Sequence, residues 1–410
     1  MICVDNEMKL LKRGTFEIIN QDELANKLAK SKETQKPLVI KLGIDPTAPD
    51  VHLGFAVVLR KLRQFQDLGH EIIIIIGDFT ARIGDPSGKS ETRPLLLLKE
   101  IEENASTYLD QFGKILDRDK TRIVYNSQWL APLTLEDLIK LTSRYTVAQI
   151  LEREDFSKRF SEKRPIGLHE LLYPLMQGYD SVRTRADVEL GGLDQKFNLL
   201  VGRYLQREFG QESQVCIMMP ILEGLDGVQK MSKSLKNYVG INEPPDEIYG
   251  KVMSIPDELM VKYFELCTNR SMEEVFKMEE GRKNGTFHPK EMKNILAKDI
   301  VTIYHDESAA NISEKHFNTK FGAASSLPDL ALLADPLEIS STELIDGQIW
   351  LAKLVERLVE SRREGSRLIS QGAVTIDNKK VTDGKAKVEI YDGMILRVGK
   401  HHTCRIKLIQ

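Results

Sequence analysis

Two stretches of the sequence carry residues that are suited to holding phosphate. The first spans residues 43–55 and places His52 and Gly54 where a loop is predicted to enter a helix. Free amides and the dipole at a helix N-terminus favour phosphate, and a glycine lets a flat ligand approach the backbone. The second stretch contains Lys230 and Lys233 in a polar loop. Two long cationic side chains there suit a triphosphate, so the sequence predicts a nucleotide site.

Each of these stretches, taken singly, also fits a plain structural role. His52 could simply cap the helix, and the two lysines could belong to a solvated loop. A third stretch, Gly84-Asp85-Pro86-Ser87-Gly88-Lys89-Ser90, looks like a P-loop. That motif needs four residues between its glycines, whereas this stretch has three. The missing residue changes the cradle of backbone amides, so the P-loop interpretation is rejected.

A further group of polar residues shares one face of a predicted helix. Tyr173, Gln177 and Asp180 stand at positions i, i+4 and i+7. The phenol oxygen and the amide can hold an ammonium group, and the carboxylate can accept a hydrogen bond from a phenol. On spacing alone, a partly buried face with satisfied polar groups explains the pattern equally well.

The elements around these residues predict an α/β fold. Residues 37–44 form a predicted buried strand, 52–68 a helix, and 72–76 a β-branched strand. Strand, crossover helix and strand within about 40 residues make a βαβ unit, and hence a parallel sheet with covered faces. Further strands are predicted at 122–125 and 215–219.

The length of 410 residues predicts more than one domain. We expect a doubly wound parallel sheet, a helical domain and a small C-terminal α+β domain. The predicted boundaries are 1–225 for the sheet domain with a helical insertion at about 94–187, 226–240 for the lysine loop, 241–322 for the helical domain, 323–342 for a linker and 343–410 for the C-terminal domain.

Composition and charge narrow the classes of function. Apolar residues make up 41% of the chain, and the longest apolar run, residues 72–76, is far too short to cross a bilayer. The four cysteines are widely spaced, which fits a reducing cytosol and argues against a disulfide framework or a zinc ribbon. The net charge is −3, yet residues 343–410 carry 13 basic against 9 acidic side chains, or +4, so the remainder carries −7. A basic tail indicates a polyanionic partner, although an ordinary uneven surface is as good an explanation of charge alone.

The two phosphate stretches together resemble the paired motifs of class I aminoacyl-tRNA synthetases, usually written His-Ile-Gly-His and Lys-Met-Ser-Lys-Ser. Residues 230–234 match the second motif at every position, and the first is His52-Leu53-Gly54-Phe55. Residues 43–50, 173–180 and 191–198 are similar to the tyrosyl-specific branch of that family, and the resemblance covers nearly the whole chain. Phe55 replaces the usual histidine and cannot donate a hydrogen bond, so nucleotide contact there is expected to be weaker or to use the backbone.

The resemblance implies that tyrosine is activated by ATP with Mg²⁺, with no metal held by the protein, and is then transferred to the 3′ end of tRNA(Tyr) in the cytoplasm. It also implies a homodimer joined through the inserted helices, and no membrane partner. The implied contacts are Asp45, Asp85, Tyr173 and Gln177 with the ammonium group of tyrosine, Asp180 with its hydroxyl, Gln195 with its carboxylate, Gly54, Gly192 and Asp194 with the nucleoside, and Thr47, His52, Lys89, Arg93, Lys230 and Lys233 with the pyrophosphate. Lys41 stands where many members of the family place a tyrosine near the substrate hydroxyl. Asp180 is therefore expected to contribute more to the discrimination between tyrosine and phenylalanine than it does in those members.

The end of the chain, at residues 362–377, resembles the small α-L RNA-binding domain first known from a ribosomal protein. A helix with arginines, a glycine turn and a short strand would present cations to a phosphate backbone. The predicted RNA contacts are Arg362, Arg363, Arg367, Lys379 and Lys380. His401, His402 and Cys404 lack a fourth ligand at usable spacing, so no metal site is predicted there.

Two other functions remain open from the sequence. A tryptophanyl enzyme of the same fold is disfavoured because an indole nitrogen needs no phenol-facing carboxylate at position 180. A non-catalytic RNA-binding protein built on a decayed synthetase has only Phe55 in its favour, whereas the intact Lys230 and Lys233 speak against it.

Overall fold

The structure, a computed structural model, describes residues 4–46, 51–85, 98–321, 334–359, 361–399 and 402–409. The chain forms two compact units. The first comprises Met1–Pro244 with Lys251–Tyr304, and the second comprises Pro245–Gly250 with His305–Gln410.

The first unit is built on a six-stranded sheet in the order β1-β6-β5-β2-β3-β4. Only β1 runs antiparallel to its neighbour, and all other pairs are parallel. The predicted doubly wound sheet is therefore confirmed. Its strand order reverses between β2 and β5, and the carboxyl ends of parallel strands open a crevice at such a switch point. The strands are β1 (Glu17–Ile19), β2 (Val39–Ile44), β3 (Glu71–Ile76), β4 (Thr121–Tyr125), β5 (Val188–Gly192) and β6 (Val215–Met219).

Helices cover both faces of this sheet, which explains why Ile72–Ile76 in β3 are fully buried. The helix α3 begins after its cap His52 and ends just before Gly69, whose φ is +86°. The helices up to residue 304 are α1 (Asp5–Lys12), α2 (Gln21–Thr34), α3 (Leu53–Asp67), α4 (Thr80–Ile83), α5 (Leu98–Phe112), α6 (Ser127–Leu130), α7 (Leu135–Thr142), α8 (Val147–Ile150), α9 (Glu154–Ser161), α10 (Leu168–Thr184), α11 (Lys196–Glu208), α12 (Pro245–Ser254), α13 (Met260–Cys267), α14 (Met272–Lys283) and α15 (Pro289–Tyr304).

The predicted boundaries need two corrections in this unit. The range 94–187 is too wide for an insertion, because it contains β4, which pairs with β3 along its whole length, and α10, which packs on β2. The range 241–322 is not one separate domain. The helix α13 buries Tyr263 and Phe264 and packs against α3, so α13, α14 and α15 belong with the sheet, whereas Pro245–Gly250 of α12 belong to the second unit.

The second unit is a small α+β fold, as predicted. Its five-stranded sheet has the order β10-β9-β12-β13-β7, and β8 pairs with β11 in a separate ribbon. The predicted linker 323–342 is too long, because β7 forms an edge of the sheet, a place that tolerates Pro336. The elements are α16 (Glu307–Phe321), β7 (Asp335–Ser340), β8 (Gln348–Trp350), α17 (Leu351–Val355), α18 (Arg362–Ser370), β9 (Val374–Ile376), β10 (Lys379–Lys380), β11 (Lys387–Glu389), β12 (Ile395–Val398) and β13 (His402–Ile409).

A search of the described residues finds no helix that is both long and apolar enough to span a membrane.

A buried ion pair ties the helices after β4 to α10, and its loss has a predictable effect. Arg159 on α9 forms two hydrogen bonds with Glu170 on α10, at 2.6 and 3.0 Å, and both side chains are almost fully buried. Arg159→Met leaves the Glu170 carboxylate buried without its cation, so we expect the free energy of unfolding to fall by about 3–5 kcal/mol. The measurement is denaturant unfolding followed by Trp129 fluorescence in a Trp350→Phe background, since the chain has two tryptophans.

The matched control is Lys140→Met, which breaks the exposed pair that Lys140 forms with Glu136 at 2.6 Å. Its expected cost is below about 1 kcal/mol. Equal losses in the two variants would show that the buried pair does not hold these helices in place.

Candidate active site

A cavity of about 440 Å³ opens at the carboxyl ends of β2 and β5, where the strand order reverses. Lys233 is not among the lining residues, and Thr47, Lys89 and Arg93 lie outside the described residues. The predicted site residues that line the cavity are Asp45, His52, Gly54, Asp85, Tyr173, Gln177, Asp180, Gly192, Asp194, Gln195 and Lys230.

Asp45, directly after β2, is held by two hydroxyl groups. Thr80 Oγ1 donates to Asp45 Oδ1 at 2.7 Å, and Tyr173 OH donates to Asp45 Oδ2 at 2.9 Å. Burial raises the pKa of Asp45 to about 7, the two hydrogen bonds oppose that rise, and the charges of Asp85 and Asp180 add to it. Burial also raises the pKa of Tyr173 well above its usual value, so Tyr173 remains a neutral donor.

Gly77, at the end of β3, is required by this arrangement. A Cβ atom at this position would lie 2.0 Å from Asp45 Oδ1 and 2.3 Å from Thr80 Oγ1. Any side chain at position 77 would therefore displace the carboxylate of Asp45. Sequence reasoning missed both Gly77 and Thr80, and the only signal was a glycine that immediately follows a buried strand.

Asp180, on α10, is the second buried carboxylate in the cavity. Trp129 Nε1 donates to Asp180 Oδ1 at 2.7 Å, and Asn126 Nδ2 donates to Asp180 Oδ2 at 3.2 Å. Burial raises the pKa of Asp180 to about 7, against the opposing effects of the Lys41 charge and these two hydrogen bonds. Neither Trp129 nor Asn126 was predicted, because the segment after β4 carries no recognisable motif.

The two carboxylates are joined through a chain of hydrogen bonds. Asn126 Nδ2 lies 3.2 Å from Asp180 Oδ2 and 3.0 Å from Thr80 Oγ1, and Thr80 in turn donates to Asp45. Asn126 is fully buried and also accepts from the backbone N–H of Phe79 at 3.0 Å. One amide and one hydroxyl group therefore fix the spacing of Asp45 and Asp180.

The third predicted member of the helix face, Gln177, offers an unused acceptor. Tyr173, Gln177 and Asp180 all line the cavity, as the spacing on α10 predicted. Gln177 Oε1 is buried and makes no hydrogen bond with a described residue. This oxygen is thus available to a donor that enters the cavity.

A second hydrogen-bond network positions Gln195. Gln195 Nε2 donates to Asp85 Oδ2 at 2.8 Å, and Asn198 Nδ2 donates to Gln195 Oε1 at 3.0 Å. Arg153, before α9, contacts both supports: one nitrogen lies 3.2 Å from Asn198 Oδ1 and another 3.6 Å from Asp85 Oδ1. Arg153 was not predicted, since Asn198 and Asp85 lie 45 or more residues away from it in the sequence. Asn198 was not predicted either, although it lies only three residues after Gln195.

Gly192 and Asp194 continue the wall of the cavity after β5. A Cβ atom at Gly192 would lie 2.5 Å from Asp194 Oδ1, so the glycine leaves room for that carboxylate. Burial raises the pKa of Asp194, the charge of Asp85 adds to the rise, and the charge of Lys230 opposes it.

The two predicted phosphate motifs meet in the structure. His52 Nδ1 accepts from the backbone N–H of Phe55 at 3.3 Å and so caps α3. Because Nδ1 is the acceptor, the ring proton is assigned to Nε2. Gly54 N–H donates to Met231 Sδ at 3.3 Å, which joins the helix N-terminus to the lysine loop. Burial, with a contribution from the charge of Lys233, lowers the pKa of His52 to about 4, so its imidazole is neutral at pH 7.

A buried amide organises the lysine loop. Asn237 Oδ1 accepts from Ser232 N–H at 2.8 Å, and Asn237 Nδ2 donates to Lys230 O at 3.2 Å and to Asp226 Oδ2 at 2.6 Å. Lys230 itself is exposed and lines the cavity. Asn237 was not predicted, although it lies only seven residues after Lys230.

Phe55 packs where the family motif usually has histidine. Its ring stacks against Tyr108 and Phe112, with centroid distances of 6.2 and 6.1 Å, and it lines the cavity. The position thus contributes an apolar wall rather than a donor.

The second unit presents the residues predicted to bind RNA. Arg362, Arg363 and Arg367 lie on α18 and are exposed, as are Lys379 and Lys380 in β10. Gly365 and Ile369 face the core of this unit, so α18 is anchored while its arginines remain in solvent.

Comparisons with known proteins agree with this architecture. Residues 32–322 match the family of class I tRNA synthetases (W and Y), and residues 349–392 match the S4 domain. The tyrosine–tRNA ligase of Moorella thermoacetica is 53% identical over 98% of this chain and 96% of its own length. That of Geobacter sulfurreducens is 51% identical over 99% of both chains.

Solved structures share the fold at lower identity. A tyrosyl-tRNA synthetase from Archaeoglobus fulgidus, complexed with L-tyrosine, has a TM-score of 0.61 at 24% identity and covers 76% of this chain and all of its own. A C-terminally truncated mitochondrial enzyme from Aspergillus nidulans has a TM-score of 0.62 at 18% identity, covering 77% of this chain and 93% of its own. From the matched family and the identity to its curated relatives, this chain belongs to the class I tRNA synthetases of the W and Y branch, and within that branch to the tyrosine–tRNA ligases.

Proposed function

We propose that this chain activates tyrosine with ATP and transfers it to the 3′ end of tRNA(Tyr). The observation that carries the proposal is the juxtaposition, in one cavity, of a phenol-facing carboxylate at Asp180 with both phosphate motifs. The curated relatives at 51–53% identity are tyrosine–tRNA ligases, which supports tyrosine over tryptophan as the substrate.

In this proposal the amino group of tyrosine is held by oxygen atoms. Asp45 and Asp85 provide carboxylates, Tyr173 a phenol oxygen, and Gln177 its unpartnered Oε1. An arriving ammonium group favours the ionised form of Asp45, whose pKa burial has raised to about 7. Gln195, oriented by Asp85, faces the substrate carboxylate.

Asp180 reads the hydroxyl group of the substrate. Its two carboxylate oxygens each accept one hydrogen bond from the protein, and a carboxylate can accept further bonds. A phenol would therefore find an acceptor, whereas the ring of phenylalanine would leave a buried charge without a partner, which is costly.

The nucleotide binds on the wall formed by the two motifs. Gly54, Gly192 and Asp194 contact the nucleoside, and the Nε2–H of His52, Lys230 and Lys233 face the phosphates. Thr47, Lys89 and Arg93 complete this set. ATP enters as its magnesium complex, with the metal on the triphosphate oxygens.

The first reaction needs no protein nucleophile. The carboxylate of tyrosine attacks the α-phosphorus of ATP, the bond to the β-phosphate oxygen breaks, and pyrophosphate leaves. The protein orients the two reactants and places cations where negative charge develops. In the second reaction the terminal ribose hydroxyl of the tRNA displaces AMP from the adenylate.

We assign catalysis to the first unit and RNA binding to the second, and we place the enzyme in the cytoplasm with its tRNA. We also propose a homodimer. Helices α7 to α10 expose large apolar side chains that a second copy would cover, namely Leu135, Ile139, Val147, Phe160 and Leu168, which are 59–81% exposed.

Replacing Asp180 tests the specificity directly. Asp180→Asn removes the charged acceptor, so we expect kcat/KM for tyrosine to fall about 10²-fold. The value for phenylalanine should change little or rise. The measurement is amino-acid-dependent pyrophosphate–ATP exchange with tyrosine, phenylalanine and tryptophan. Sites built to bind a hydroxyl reject the analogue that lacks it by about 10⁴–10⁵-fold, a range for which tyrosyl enzymes themselves are the standard example.

The control is Asp299→Asn on α15, which removes an ion pair with Arg270 outside the cavity. This variant should leave kcat/KM for tyrosine and kcat/KM for phenylalanine near the parent values. A tyrosine-to-phenylalanine ratio that is unchanged in Asp180→Asn would contradict the assignment. Absence of any exchange by the parent would favour a non-catalytic RNA-binding protein.

Neutralising the arginines of α18 tests the RNA contacts. In Arg362→Gln/Arg363→Gln/Arg367→Gln, pyrophosphate exchange should be unchanged while tRNA binding weakens. The slope of log K against log salt should become shallower by about 0.7–0.9 for each RNA phosphate that the variant no longer neutralises. Lys407→Gln is the control, because Lys407 is a half-exposed cation of the same unit that pairs with Glu338. If the triple variant binds tRNA with the parent's salt slope, α18 is not the RNA-binding surface.

A further inference from the structure

An ion pair lies buried beside the tyrosine pocket and takes no part in lining it. Lys41 in β2 and Glu189 in β5 are register partners across the switch point of the sheet. Lys41 Nζ lies 2.9 Å from Glu189 Oε1, and the two side chains are 0% and 1% exposed. Neither residue lines the cavity, whereas the next residue in β2, Leu42, does.

The ammonium group of Lys41 is enclosed by protein groups. It donates to Ser181 Oγ at 2.7 Å and to the carbonyl oxygen of Gln177 at 3.4 Å, and it forms the ion pair with Glu189. Lys41 is fully buried and does not line the cavity. Lys41 therefore does not replace, as a direct contact, the tyrosine that many family members place at this position.

The contacts of Lys41 instead surround Asp180. Gln177 and Ser181 are the residues three before and one after Asp180 on α10, so the cation lies against the turn that carries the pocket carboxylate. Among the described residues that face Asp180, Lys41 is the only cation. These residues are Lys41 from β2, Glu189 from β5, Asn126 and Trp129 from the segment after β4, and Asp45 and Tyr173 across the cavity.

The counter-ion Glu189 is itself fixed by buried neutral groups. Ser181 Oγ and Gln214 Nε2 both donate to Glu189 Oε2, at 3.0 and 2.5 Å. Gly202 on α11 leaves the space they need, since a Cβ atom there would lie 2.7 Å from Ser181 Oγ and 2.8 Å from Gln214 Nε2. The pair is thus rigid and adds no net charge to the interior.

We propose that Lys41 is a positioning residue that favours the ionised form of the Asp180 carboxylate, and that the Lys41–Glu189 pair thereby sets the pH range over which tyrosine is chosen over phenylalanine. This inference rests on the proposed function. Removing the cation leaves the like charge of Glu189 near Asp180, which favours the protonated form of Asp180. A protonated Asp180 is a weaker acceptor for a phenol, and a neutral acid facing phenylalanine costs less than an unpaired charge.

The test is kcat/KM for tyrosine and phenylalanine, by pyrophosphate exchange between pH 6 and 9, in three variants. In Lys41→Met the pH midpoint for tyrosine should rise by about one unit or more, which lowers kcat/KM at pH 7 about fivefold. The ratio of tyrosine to phenylalanine should fall at pH 7 and recover toward pH 9. In Glu189→Gln the midpoint should move to lower pH, since a like charge has gone.

The double variant Lys41→Met/Glu189→Gln removes both charges and keeps the test decisive if a single variant does not fold. Lys41 acts on Asp180 more strongly than Glu189 does. The pH midpoint of the double variant should therefore lie above that of the parent and below that of Lys41→Met. An unchanged midpoint in a folded Lys41→Met or double variant, or a loss of activity that is the same at every pH, would overturn the proposal. A parent enzyme without preference for tyrosine would instead overturn the proposed function.

Discussion

Two carboxylates, Asp45 and Asp180, are buried in one cavity, and a chain of hydrogen bonds through Thr80 and Asn126 fixes the distance between them. Burial raises the pKa of each to about 7. The ionised form of each carboxylate is therefore stabilised when a suitable partner enters the cavity. That partner is an ammonium group at Asp45 and a phenol at Asp180. The selectivity of the site follows from two acceptors that the protein alone leaves incompletely satisfied.

The sheet supplies the geometry that this constraint needs. Asp45 follows β2, Gly77 follows β3, and Asn126 follows β4, so the carboxyl ends of three adjacent parallel strands converge on the same cavity. The helix α10 then brings Tyr173 and Asp180 over that edge. On the nucleotide side, the contact of Gly54 with Met231 joins two motifs that are 177 residues apart.

The sequence allowed the doubly wound sheet, the face of α10 and both phosphate motifs to be predicted, because each depends on local spacing. Partners brought together by strand register could not be predicted. Asn126 and Trp129 meet Asp180 only because β4 pairs with β3, and Lys41 meets Glu189 only through the register of β2 with β5. The predicted boundary of the helical domain differs from the structure for a related reason. The helix α13 belongs with the sheet because it packs on α3, and no change of composition in the sequence marks that packing.

The most direct measurement is the number of protons released when tyrosine binds, obtained by titration calorimetry in buffers of different ionisation enthalpy. If Asp45 and Asp180 are each about half protonated in the free enzyme at pH 7, binding of tyrosine ionises both and releases about one proton in total. The release should grow toward pH 6, and the share from these two groups should vanish by pH 9. A binding enthalpy that does not depend on the buffer at pH 6 to 7 would contradict the account.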